Sequence, residues 1–249
     1  VFGLAMCRSQ LLPALHKRAA RMLLAFGIPL IPIGIANTIV IASDRYFLRE
    51  FVDPTEAATF SLGFKIATIV SLVTMALQTA WAPTAFRIAK RDDARRILAD
   101  TFRILAVGLG MLALATSLCS PELARIFAPA GSYEGAQRIV PWIAFSYALQ
   151  AAVLMMNANL IIANRTILST AVFCMGAFTK LVLTAAFIPS FGITGAAAAT
   201  LVTFLLEILL TAAFSAWVYP VPYDARRFTA LIILLALASW AMTWTDALS

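Results

Sequence analysis

About seven long stretches with few or no charges run through this chain, each near the ~20 apolar residues that a helix needs to cross a hydrocarbon core about 30 Å thick. Basic clusters separate alternate stretches. This pattern makes the chain a polytopic membrane protein. Inside lipid every backbone amide must be paired within its own segment, so the spans are helices. The ten-residue alternation of a membrane barrel is absent. The expected fold class is therefore all-α, a transmembrane helix bundle of about seven spans. Composition agrees: 62% of the residues are hydrophobic and 12% charged, with a mean hydropathy of +0.90. The net charge is +7. Its basic residues flank apolar spans, which is a topology signal, so nucleic acid is not an expected partner.

The expected spans are 22–47, 56–86, 102–119, 139–164, 166–188, 195–219 and 227–245. Pro29 and Pro32 should kink the first. Pro141 should lie in the first turn of the fourth, and Pro189 should stop the fifth. The fifth and sixth should form a tight antiparallel hairpin across Pro189–Ile193. A short amphipathic piece, 121–127, follows the third span, and then a loop with Gly131 and Gly135. The small residues Gly195–Thr200 should let a neighbouring helix approach closely. The chain begins at Val1 and stops soon after its last apolar stretch, so it is expected to be a piece of a longer protein.

Loop charges orient the bundle. One side holds Arg8, Lys17, Arg18, Arg21, then Arg87, Lys90, Arg91, Arg95, Arg96 and Arg103, then Arg165, Arg226 and Arg227. The other holds Arg49, Arg125 and Arg138, with Glu50, Asp53, Glu56, Glu122, Glu134 and Asp246. The first side should be cytoplasmic. Trp81, Trp217, Tyr219 and Tyr223 are expected in the cytoplasmic aromatic belt, and Tyr46, Tyr133, Trp142 and Trp244 in the outer one.

Five ionisable residues fall at membrane depth: Asp44, Arg45, Lys65, Lys180 and Glu207. Each costs about 3 kcal/mol or more at the bilayer centre unless it meets a partner or a wet cavity. By helical rise, Asp44 should lie ~6 Å and Lys65 ~13 Å below the outer surface, within reach of each other. Lys180 and Glu207, at ~13 Å and ~20 Å, form a second candidate pair. Arg45 points ~100° away from Asp44 and is left to face a cavity or to snorkel outward. Three readings stay open: ion pairs that pin helices, a polar path for a charged substrate, or a proton relay through Asp44 or Glu207. The cluster Arg87, Lys90, Arg91, Arg95 and Arg96 suits either anionic membrane lipid or the phosphate of an arriving lipid.

Catalytic signatures are missing. There is no P-loop, no H-E-x-x-H and no G-x-S-x-G. One histidine, His16, and three cysteines without metal-type spacing give no metal centre. Neither enzyme activity nor a cofactor is expected.

Three motifs in order carry a family resemblance. Gly27-Ile-Pro-Leu-Ile-Pro-Ile-Gly-Ile-Ala-Asn37 precedes Ser43-Asp-Arg-Tyr-Phe-Leu48. Phe60-Ser-Leu-Gly-Phe-Lys-Ile-Ala67 is followed by Gln78-Thr-Ala-Trp-Ala-Pro83 and Phe86. Ile188-Pro-Ser-Phe-Gly-Ile-Thr-Gly-Ala-Ala-Ala-Ala-Thr200 comes last. Together, over residues 20–224, they resemble the second half of bacterial polysaccharide flippases of the multidrug/oligosaccharidyl-lipid/polysaccharide exporter superfamily. The resemblance implies an end of a preceding helix and linker over 1–19, a C-terminal lobe over 20–226 and a further helix over 227–249. It implies alternating access around a central cavity in the bacterial inner membrane. The implied cargo is an undecaprenyl-diphosphate-linked oligosaccharide for O-antigen or exopolysaccharide. Partners would be that lipid-linked glycan, membrane lipids and a first lobe of the same protein. Asp44, Arg45 and Lys65 occupy matching motif positions and become cavity candidates. Lys180 and Thr184 stand where relatives often carry asparagines, and Glu207 lies in a helix usually uncharged. The alternatives are an ion-coupled multidrug or cation exporter of the same superfamily and, less well supported, a membrane glycan polymerase or acyltransferase.

Overall fold

A computed structural model describes residues 27–28, 31–127 and 135–223. Six helices make up nearly all of it: α1 Ile31–Phe51, α2 Pro54–Ile88, α3 Ala94–Leu118, α4 Ser120–Phe127, α5 Ala136–Ile162 and α6 Thr166–Val218. No strand occurs among the described residues. The expected seventh span, the loop around Gly131, Cys7, His16, Tyr133 and Trp244 lie outside them, as do the 1–19 segment and the 227–249 helix.

Four helices, α2, α3, α5 and α6, are long and apolar enough to cross a membrane. α2 has 35 residues, about 52 Å at helical rise, and overshoots a 30 Å core. α1 spans 21 residues but carries Asp44, Arg45, Arg49 and Glu50. Its passage through lipid therefore depends on how those charges are met.

α6 is two antiparallel arms, 166–191 and 193–218. Gly192 has φ 56° and ψ −135°, a backbone state closed to residues with a Cβ. The chain reverses there, so Pro189 sits inside the first arm rather than ending it. Contacts then step away evenly from the tip. Gly195 lies against the Phe187 carbonyl, Lys180 against Ala196 and Thr200, and Gly176 against Glu207. The small-residue run thus serves the hairpin itself: Ala196, Ala197 and Ala199 are fully buried.

α5 forms the axis of the bundle. It packs on α6, α2 and α3, and 78% of its apolar window is buried against 33–39% for the other three. Its Ile139, Val140, Ala144, Val153 and Leu160 are sealed. Lipid tails are as apolar as these side chains, so close packing rather than the hydrophobic effect holds the helices together. Gly63 shows the fit: a Cβ there would stand 2.9 Å from the Ala136 carbonyl oxygen. Trp81, expected at the headgroups, is buried instead and donates its indole N–H to the Met155 carbonyl at 3.1 Å. Tyr223 also turns inward, its ring 4.8 Å from that of Phe102. Trp217 and Tyr46 remain exposed, where belt residues belong.

Helix ends shift two expectations, and Pro29, expected to kink the first span, lies outside the described residues. α1 continues to Phe51, four residues past the expected end. α5 starts at Ala136 after Gly135, which moves Pro141 into the second turn and frees the Gln137 carbonyl.

α1 leans along α6 and touches α2 sparsely. That asymmetry opens the two hollows described next.

Candidate functional site: a buried ion pair between two hollows

Lys180 and Asp44 form the centre of the site. Lys180 Nζ lies 2.6 Å from Asp44 Oδ1, with side-chain exposures of 0% and 7%. The expected Asp44–Lys65 and Lys180–Glu207 pairs are therefore replaced by a single Asp44–Lys180 pair. The physical reason lies in depth. With α1 ending at Phe51, Asp44 is seven residues, or ~10 Å, from its outer end. α6 lies alongside it, whereas Lys65 belongs to the helix that α1 hardly touches.

Thr200 completes the cluster. Its hydroxyl oxygen accepts a hydrogen bond from Lys180 Nζ. Its one proton has two acceptors in range, the Ala196 carbonyl at 2.9 Å and Asp44 Oδ2 at 3.4 Å, and the shorter contact is the stronger. Lys180 also donates to the Ala196 carbonyl at 3.4 Å. The ammonium thus has a carboxylate, a hydroxyl and a carbonyl around it, as a buried charge requires.

Asp44 and Phe60 border both hollows. One is a cleft of about 440 Å³ between α1 and α2. Arg45 and Arg49 line it, with Leu48, Val52, Phe60 and Phe64 as apolar walls. The other is an open-sided cavity of about 410 Å³ bounded by α1, α2, α5 and α6. Its polar lining is uncharged apart from Asp44: Asn37, Gln78, Gln150, Tyr147, Ser71 and Thr200 among others. Tyr147 and Phe64 meet edge-to-face at 6.0 Å on its wall. Because Lys180 neutralises Asp44, the cavity has no net charge, and the cleft retains the two guanidinium charges.

The other expected site residues fall elsewhere. Lys65 is exposed, borders neither hollow, and holds its ammonium 5.5 Å from the Phe127 ring centroid. That is a cation–π contact with the short helix α4. Glu207 is 2% exposed, and its Oε2 has no hydrogen-bond partner among the described residues. Gly176 stands directly opposite, and its missing side chain makes the room that the carboxyl occupies.

The basic cluster of the α2–α3 connection is partly engaged. Arg91 pairs with Asp93 at 2.9 Å, and this contact holds the Asp93 carboxyl below its usual range. Arg95 stacks over Tyr219 at 5.3 Å. Arg87 donates to Thr84 at 3.4 Å. Lys90 and Arg96 make no ion pair within 4 Å among the described residues. Beside them, Asn159 donates to the Tyr223 hydroxyl at 2.6 Å, and burial pushes that phenol up to about 12.

The sequence reading passed over the amides of the cavity. Gln150 gave a signal, a carboxamide in the middle of an apolar span. Asn37 and Gln78 were visible only as parts of motifs. No cluster of histidine, cysteine and acidic residues suited to a metal occurs among the described residues.

No family model matches the chain, and no curated protein does. Two solved structures match. The Vibrio cholerae MATE transporter VcmN in its bent form superposes with a TM-score of 0.72 at 19% identity, over 93% of this chain and 55% of that one. A point mutant of the same transporter gives 0.74 at 19% identity, over 90% and 54%. The chain spans about half the length of each. It therefore has the fold of one half of a MATE-type transporter, an all-helical, multi-pass membrane architecture.

Proposed function

We propose that this chain is one lobe of an exporter that carries an undecaprenyl-diphosphate-linked oligosaccharide from the inner to the outer leaflet of a bacterial cytoplasmic membrane. One observation carries the reading: the acid on the cavity wall is cancelled by Lys180, while the adjoining cleft keeps Arg45 and Arg49. A cationic drug needs an uncompensated acid in its path, and none borders either hollow among the described residues. A diphosphate needs guanidinium groups. A neutral wall of amides, hydroxyls and an aromatic ring suits sugar hydroxyls. The transport step is the rocking of two lobes about the cavity, as in other two-lobe exporters.

A second reading, an ion-coupled multidrug or cation exporter, draws on the MATE-type fold and on the unpartnered Glu207 carboxyl. Deleting the gene separates the two. The flippase reading expects loss of surface polysaccharide, restored by the wild-type gene, with unchanged tolerance to ethidium and other organic cations. Normal polysaccharide together with raised ethidium sensitivity would instead establish the drug exporter.

A further inference from the structure

We infer that the cleft between α1 and α2 is a binding site for the phosphate-bearing headgroup of a lipid, held by Arg45 and Arg49. The identification of that lipid as a substrate rests on the flippase reading; the binding itself does not.

The two arginines are four residues apart on α1, so they rise from one face about 6 Å apart. Two guanidinium groups at that spacing converge on one phosphate or straddle two, each offering a fork of N–H donors. Like charges so placed repel by a few tenths of a kcal/mol in an isolated helix, and that arrangement persists where an anion joins them. No such anion is supplied by the described residues. Neither arginine makes an ion pair within 4 Å among them, and the one acid on the cleft wall, Asp44, is already held by Lys180.

Depth adds a second argument. Arg49 is in the last turn of α1, where a cation complements the helix dipole and reaches the headgroups. Arg45 is six residues, or ~9 Å, below the helix end. A charge there needs water or a counter-ion, and an anion seated in the cleft supplies the second. The walls then say what the anion is attached to. Leu48, Val52, Ala57, Phe60 and Phe64 flank the arginines, an apolar surface beside a cationic one. A free inorganic phosphate has no use for that surface, whereas a lipid tail does. α1 barely packs on α2, so a tail can lie between the helices.

The test uses the complete protein in a neutral maltoside detergent, with bound lipid counted by native mass spectrometry. Three probes are titrated separately: undecaprenyl diphosphate, phosphatidylglycerol, and a diacylglycerol with the same tails and no phosphate. Wild-type protein should retain at least one phosphate lipid and not the diacylglycerol. R45Q/R49Q should weaken that binding at least tenfold, and R45K/R49K should recover part of it. Preference for undecaprenyl diphosphate marks a substrate headgroup; preference for phosphatidylglycerol marks a bilayer lipid. Unchanged binding of both phosphate lipids by R45Q/R49Q, or equal binding of diacylglycerol, overturns the site. Should the double variant lose its thermal transition, phenylglyoxal labelling of wild-type protein decides: lipid must protect Arg45 and Arg49, and unprotected labelling overturns the site. Surface polysaccharide scored in parallel keeps the two proposals apart. Loss of glycan without loss of binding sinks this site alone, and a glycan-normal deletion strain sinks the flippase reading alone.

Discussion

At the scale of single residues the Asp44–Lys180 pair dominates. Both side chains are sealed, so removing one partner leaves the other charge uncompensated in a medium that solvates it poorly. Breaking such a pair costs about 3–5 kcal/mol, while replacing both partners by apolar residues of like volume is often neutral. Lys180→Met should therefore destabilise the protein by roughly 3 kcal/mol or more, and Asp44→Leu combined with Lys180→Met should recover most of that loss. Thermal unfolding in detergent across the four members of this double-mutant cycle reads the coupling directly. Additive losses would mean that the two charges do not support each other. The pair was only half legible in the sequence. Five charged residues at membrane depth were plain, because nothing else in an apolar span looks like them. Their partners were not, because the expected end of α1 fell four residues short, and a four-residue offset moves a side chain by about one helical turn. Lys65 looked equivalent to Arg45 by depth, yet its ammonium lies over the Phe127 ring and it borders neither hollow.

At the scale of elements the bundle rests on its α6 hairpin. The turn was readable from Pro189 and Gly192, since no two helices can be joined so tightly without a residue free to take a positive φ. The stopping point was not, because a proline tolerated inside a helix and one that ends it look alike in sequence. Gly192→Ala forces a side chain into φ 56° and should cost about 1–3 kcal/mol. Gly195→Val should be worse, because the added side chain meets the Phe187 backbone, which cannot swing aside. Their effects should appear as lower thermal transitions in the order wild type, Gly192→Ala, Gly195→Val. An unchanged transition for Gly195→Val would mean that the two arms stand farther apart than described. The amide-lined cavity was the least legible element. Asn37, Gln78 and Gln150 come from three helices, and only their assembly around α5 shows that they share a wall.

At the scale of the whole molecule the loop charges give the expected direction. The connection between α2 and α3 carries Arg87, Lys90, Arg91, Arg95 and Arg96, whereas the opposite end offers Arg49, Arg125 and Arg138. Insertion follows such bias because basic loops are retained on the cytoplasmic side. With that direction Arg49 is near the outer surface, and the cleft would meet a headgroup after it has crossed. The short helix α4 lies at the same end of the bundle as Arg49, with Glu122, Ile126 and Phe127 exposed. Single cysteines test this with a membrane-impermeant maleimide on intact spheroplasts. Glu122→Cys should label before lysis, and Arg96→Cys only after it. The opposite pattern would place the arginine cleft at the cytoplasmic surface, turning it from a point of release into a point of entry, and would overturn the orientation drawn from the loop charges.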